Sequence, residues 1–160
     1  MMANNIYVAI NGKQQGLISA GCSTADSIGN KHQLGHENQI LVLKLAHNIS
    51  RGENVMHNPV IFVKPQDKSS PLFLLAISNN ELLNLKFDFY RTSQNGAQEL
   101  YYTIELREAT IVDFNINYPH CLTHSSAQPE EIISVRYKDI ICQHHIAGTS
   151  GYSVWDDRVY

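Results

Sequence analysis

Histidine and cysteine are the residues of this chain best suited to chemistry, with eight histidines and three cysteines among 160 residues. They form three short groupings: Cys121-x-x-His124, Cys142-x-His144-His145, and the i, i+4 pair His32 and His36. A zinc ion needs three or four ligands converging at about 2.0–2.3 Å, and finger or ribbon sites announce themselves by paired short spacings. None of the three groupings has that pairing, so they read as solvated histidines of loops and strand ends.

Other chemistry is equally thin. Gly148-Thr149-Ser150-Gly151 approaches a nucleophile elbow, but Tyr152 stands where the G-x-S-x-G frame requires glycine, leaving a polar turn. Glu105, Glu108 and Asp113, and the pair Glu130 and Glu131, could in principle divide acid and base work; charges along strands more commonly point outward. No phosphate-binding or dinucleotide fingerprint occurs. Asn48-Ile49-Ser50 matches a glycosylation acceptor, but idle, because the early residues carry neither a basic start nor an apolar run of the secretory kind. No catalytic, cofactor-binding or metal residue is assigned, and the expectation is a protein that is not an enzyme and needs no cofactor.

Composition bounds the alternatives. The length fits one domain over 1–160. Apolar residues make up 43% of the sequence and charged residues 17%, against about 25% in an average soluble protein. A net charge of -3 lacks the basic footprint of a nucleic-acid binder. The longest apolar run, Pro71 to Ile77, is far below the roughly 20 residues of a membrane span, so no membrane insertion is expected. Three widely spaced cysteines do not make a disulfide framework.

The elements that would position any site are mostly strands. Tyr102, Ile104, Leu106, Val112, Phe114 and Ile116 alternate with Thr103, Glu105, Arg107, Asp113 and Asn115. A run from Tyr101 to Tyr118 exceeds ordinary strand length, so a bend or bulge near Glu108 to Thr110 should divide it into two consecutive strands. Asn84 to Arg91 alternates likewise and returns through Asn95-Gly96. Ile6 to Ile10, Asn11-Gly12 and Lys13 to Ile18 read as a hairpin, and Glu131, Ile133, Val135 and Tyr137 open a late strand running on towards Cys142. Gln39 to Leu45 and Val60 to Val63 are apolar on both faces, as strands covered on both sides are.

One helix stands out. Ser69-Ser70-Pro71 offers a capping hydroxyl and a proline at the first helical position, followed by Leu72, Phe73, Leu74, Leu75, Ala76 and Ile77. Apolar nearly all round, it should be buried or wedged into an interface. Two long connections, Ser19 to Glu37 and His47-Asn48-Ile49-Ser50-Arg51-Gly52-Glu53-Asn54-Val55-Met56-His57-Asn58, exceed the length of ordinary loops. The fold class is mainly β: a β-barrel or sandwich with one flanking short α-helix and long loops. Few charges, two-sided apolar strands and an apolar helix make self-assembly the expectation.

The ordered blocks from Gly21-Cys22-Ser23-Thr24-Ala25-Asp26-Ser27-Ile28-Gly29-Asn30 through His57-Asn58-Pro59-Val60-Ile61-Phe62-Val63-Lys64, Asp67-Lys68-Ser69-Ser70-Pro71-Leu72, Phe89-Tyr90-Arg91 and Tyr101-Tyr102-Thr103-Ile104-Glu105-Leu106 to Gly148-Thr149-Ser150-Gly151-Tyr152-Ser153-Val154-Trp155-Asp156-Asp157 resemble the Hcp family of type VI secretion tube proteins. The resemblance implies homohexameric rings stacked into a hollow tube, a contractile sheath around it, a VgrG-type spike above it and secreted effectors in its lumen. It also implies assembly in the cytoplasm and secretion through that machine without a signal peptide. On it, Asp67 to Ile77 matches the family's helix and its entry, Tyr101 to Leu106 its long strand, and His47 to Asn58 the extended loop that engages neighbouring subunits or rings. The stretches Lys31 to His36 and Gln143 to His145 match no motif of the family. A phage-like tail tube protein, and a small metal-dependent hydrolase built on the His and Cys groupings, are the rival readings.

Overall fold

The computed structural model describes residues 4–29, 35–124 and 128–155. His32, most of the stretch from Lys31 to His36 and the tail from Asp157 to Tyr160 therefore lie outside the described residues.

Among the described residues the main element is a ten-stranded sheet. Its strands are β1 (Asn4–Gly12), β2 (Gly16–Leu17), β3 (Ile40–Val42), β4 (Lys44–Ala46), β7 (Val60–Pro65), β8 (Leu83–Thr92), β9 (Gln98–Asn117), β10 (Glu130–Arg136), β11 (Asp139–His144) and β12 (Thr149–Val154). A separate hairpin joins β5 (Ile49–Arg51) to β6 (Val55–His57), and the described residues also form two helices, α1 (Ala25–Ile28) and α2 (Ser70–Ser78). The order runs β2-β1-β8-β9-β10-β7-β4, with β11 on β9, β12 on β11 and β3 on β1.

The 20-residue β9 organises this sheet. Its first half pairs with β8 and β11, its second half with β10. At the changeover Glu108 has φ 46, and Leu83 opposes Ala109 while Leu85 opposes Leu106, so β9 holds one residue more than β8 across that step. A second irregularity follows where Ser134 opposes Asp113 but Val135 opposes Ile111. Extra residues bend a strand and increase its twist, which folds the two halves of the sheet over one core. The expected bend is therefore present at Glu108, although the ladder runs through it as one strand.

The hydrogen-bonded path is open, giving a sandwich-like rather than a closed barrel. Its two sides are bridged by the chain itself. Ile40, Leu41 and Val42 are all buried and pair with β1, and one residue later Lys44 to Ala46 pairs with β7. The two-faced apolar stretch is thus a strap between the halves, fastened at its bend by Leu43 N–H donating to the Val63 carbonyl at 2.7 Å. Between the halves lie Val8, Ile10, Phe62, Leu85, Phe87, Leu106 and Ile133, every one fully buried.

Helix α2 covers one end of that core. Phe73 and Ala76 are buried, and the Phe73 ring lies between Phe62 at 6.4 Å and Phe114 at 6.2 Å, centroid to centroid. Ser69 does not cap the helix as expected. Its own backbone is helical, and its N–H and hydroxyl both donate to Asp67 Oδ1, so the carboxylate organises the helix entry.

Three other expectations change. The first hairpin turns at Lys13 to Gln15, not at Asn11-Gly12, because β1 pairs with β8 through to Gly12. The late strand is broken in two, β10 joining β9 and β7 while β11 moves to the other half of β9. The connection Ser19 to Glu37 carries the single helical turn α1, which the sequence did not announce.

Candidate assembly interface

The stretch His47 to Asn58, expected as a loop, is a β-hairpin arm. Ile49 opposes His57, Ser50 opposes Met56 and Arg51 opposes Val55, and among the described residues no ladder ties this pair to the main sheet. Each strand is only three residues long, and Gly52-Glu53-Asn54 make the turn between them. Asn48, Ile49, Ser50, Arg51, Gly52, Glu53, Asn54 and Met56 are exposed; Val55 and Asn58 are half-buried. Ile49 is 44% exposed and Met56 62%, apolar side chains left uncovered by the described residues.

A two-stranded hairpin is marginal by itself in water, so its base must hold it. That base is aromatic. Tyr137, buried between β10 and β11, places its hydroxyl 2.9 Å from His47 Nε2 and 2.6 Å from His57 Nδ1. His57 Nε2 meets Ser153 Oγ at 2.9 Å, and the His57 ring stacks on Trp155 at 5.7 Å. Burial lowers the pKa of both imidazoles, and that of His47 is lowered further by its neighbour His57.

The helix is less buried than its composition suggested. Leu72 and Ile77 are half-buried beside Phe73, but Leu74 and Leu75 are 57% and 48% exposed. Nine residues wrap two and a half turns, and only the face carrying Phe73 and Ala76 reaches the core, so an all-apolar helix necessarily offers leucines to its surroundings.

The charge-poor surface is poorer than the sequence implied. Lys64, Asp67, Glu81, Asp88, Glu131 and Asp139 are all buried. Glu131, expected outward, is wholly enclosed and ion-paired with Lys64 at 2.5 Å; Asp67 lies 3.1 Å from the same ammonium. Desolvation raises the pKa of Asp67 while the Lys64 charge opposes the rise.

The His and Cys groupings are dispersed. Cys121 is exposed in a turn, His144 packs on Tyr101 and Tyr102, and His145 bonds the Thr103 hydroxyl at 2.7 Å. His36 stacks on Tyr7 at 4.0 Å. Among the described residues no group of three or more His, Cys, Asp or Glu side chains is arranged to hold a metal.

Comparison with known proteins now decides the family. The profile described as "Type VI secretion system effector, Hcp" matches residues 7–144. The chain belongs to the Hcp family of type VI secretion tube proteins. It is 38% identical to the major exported protein of Pseudomonas aeruginosa, over 99% of each chain. A crystal structure titled as an Hcp protein superimposes with a TM-score of 0.91 at 29% identity, covering 97% of this chain and 99% of that one. An uncharacterized protein of Escherichia coli K12, YhhZ, is 42% identical over 92% of this chain, which spans only 37% of that longer relative.

The features missed by sequence reading in this Hcp chain are its buried polar ones. A signal for two of them was present. Glu131 is in phase with the buried Ile133 and Val135, and Lys64 with Val60 and Phe62, so alternation put both charges on the core face. The His47, His57 and Tyr137 cluster joins residues 80 and 90 positions apart, and no local pattern marks it.

Proposed function

We propose that this single domain is a non-enzymatic tube subunit whose copies form hexameric rings that stack into a hollow tube. In this reading the exposed arm, through Ile49 and Met56, and the outer face of α2, through Leu74 and Leu75, are covered by neighbouring copies. The observation that carries it is the coexistence of these bare apolar side chains with a surface from which charge is withdrawn into the interior. Ring closure would also cover open sheet edges such as β12. The tube would be assembled in the cytoplasm, lie in a contractile sheath under a VgrG-type spike, carry effectors in its lumen, and be secreted on contraction.

Electron microscopy of the purified protein tests this reading. Rings with sixfold symmetry are expected, and removal of the arm should leave folded protein that no longer forms them. Rings unaffected by loss of the arm would contradict the placement of the interface.

A further inference from the structure

The base of the arm is built from two imidazoles that meet at one tyrosine hydroxyl. The Tyr137 hydroxyl has one proton and meets two imidazole nitrogens, at 2.9 Å from His47 and 2.6 Å from His57. It can donate to one ring only, and the other ring must then donate its N–H to the phenol oxygen. This arrangement works while at least one facing nitrogen keeps its lone pair. With both rings protonated, two N–H groups converge on one oxygen, the phenol proton loses both its acceptors, and two cations face each other across a single hydroxyl.

The surroundings offer little to offset that repulsion. The other polar contacts are Ser153 Oγ on His57, and the backbone carbonyls of Asn58 towards His47 and Val154 towards His57. Cys142 acts electrostatically on Tyr137. A cation, the Arg136 guanidinium, lies 5.0 Å over the Trp155 ring that stacks on His57. No carboxylate contacts the cluster among the described residues. Burial lowers both histidine pKa values despite the carbonyls. A histidine whose pKa is lowered on folding contributes stability above its unfolded value of 6.5, and that contribution is lost as the pH falls through the folded value.

We infer that His47, Tyr137 and His57 form a proton-sensitive latch that fixes the arm to the sheet near neutral pH and releases it on acidification, detaching the arm from a neighbouring copy of the chain. The part that concerns a neighbouring copy rests on the proposed ring; the latch itself belongs to the single chain.

The full-length protein tests it by hydrogen exchange followed by mass spectrometry, at about pH 7.5 and about pH 5, corrected for intrinsic exchange, with sedimentation velocity in parallel. Exchange over residues 49–57 should rise by about tenfold or more at the lower pH, while β8 and β9 keep their protection. The variant carrying His47→Gln and His57→Gln should lose this response, and Tyr137→Phe should show a freely exchanging arm already at the higher pH. An arm equally protected at both pH values in the wild type, or a double glutamine variant that still responds, would overturn the latch. Rings that persist while the arm opens would uphold the latch and reject the arm as an interface; rings that dissociate while the arm stays protected would do the reverse.

Discussion

Lys64 and Glu131 oppose one another across β7 and β10, their Nζ and Oε1 atoms 2.5 Å apart and both side chains out of reach of solvent. Asp67 and the Ser70 hydroxyl complete the cluster, since Ser70 Oγ donates to Glu131 Oε1 at 2.8 Å and accepts the Asp67 N–H at 3.1 Å. One ammonium therefore ties two strands to the first turn of α2.

Removing that ammonium should be severe. Lys64→Met leaves two carboxylates buried without a counter-charge, for an expected loss of about 3–5 kcal/mol. Combining it with Glu131→Leu should recover a large part of the loss. Urea unfolding of the single and double variants measures both, and equal instability of the two would contradict this origin of the cost.

Asp67 carries the opposite pH sign from an ordinary paired acid. Its pKa is raised by burial above the usual 3.8, so its contribution is present at low pH and is lost as the pH rises through the folded value. Asp67→Asn keeps an acceptor for Ser69 and should be no less stable than wild type at neutral pH, with its relative advantage vanishing in acid. A neutral-pH loss of more than about 2 kcal/mol, larger than one typical hydrogen bond, would show that Lys64 needs the charge.

Glu81 should behave conversely. Burial alone would raise its pKa, but the backbone N–H and side-chain amide of Gln15 and the backbone N–H of Gln14 together lower it below 4.5. Its stabilisation is present above 4.5 and is lost as the pH falls through the folded value. Gly12 makes room for this clamp, since a Cβ there would lie 2.1 Å from Glu81 Oε2. Glu81→Ala and Gly12→Ala should each cost about 1 kcal/mol at neutral pH, as partly buried donors of Gln14 and Gln15 lose their acceptor, and the cost should shrink in acid. Thermal unfolding across that range checks the sign.

On α2, folding and assembly should separate by face. Phe73→Ala opens the core and should cost about 3–5 kcal/mol. Leu74→Glu with Leu75→Glu changes exposed positions and should alter monomer stability by only about 0.5 kcal/mol, yet abolish rings. Denaturation and sedimentation velocity of both variants distinguish the two faces, and normal rings from the double glutamate variant would remove the helix from the interface.

Strand periodicity made much of this fold legible, because alternation over β8 and β9 is strict enough to assign faces and because a strand longer than the sheet can use had to bend. The helix start was legible for the same local reason, proline at its first turn. Side-chain partnerships were not legible: Ser69 looked like a cap, yet its N–H and hydroxyl both donate to Asp67 two residues before it, and Glu131 looked like a surface charge although its own alternation pointed inward, to the distant Lys64. The arm was recognised as a segment of interest but not as a hairpin, since its strands are three residues each and its anchor, Tyr137, lies 80 residues away from His57. The surface carries still less charge than the composition implies, because six of the charged side chains are inside the subunit.

The central claim is that this chain covers its arm and helix with copies of itself. Sedimentation velocity of the purified protein at micromolar concentration and neutral pH, with negative-stain images of the same sample, tests it most directly. Sixfold rings that are lost when residues 48–58 are shortened are the result expected; a strictly monomeric species would contradict the account.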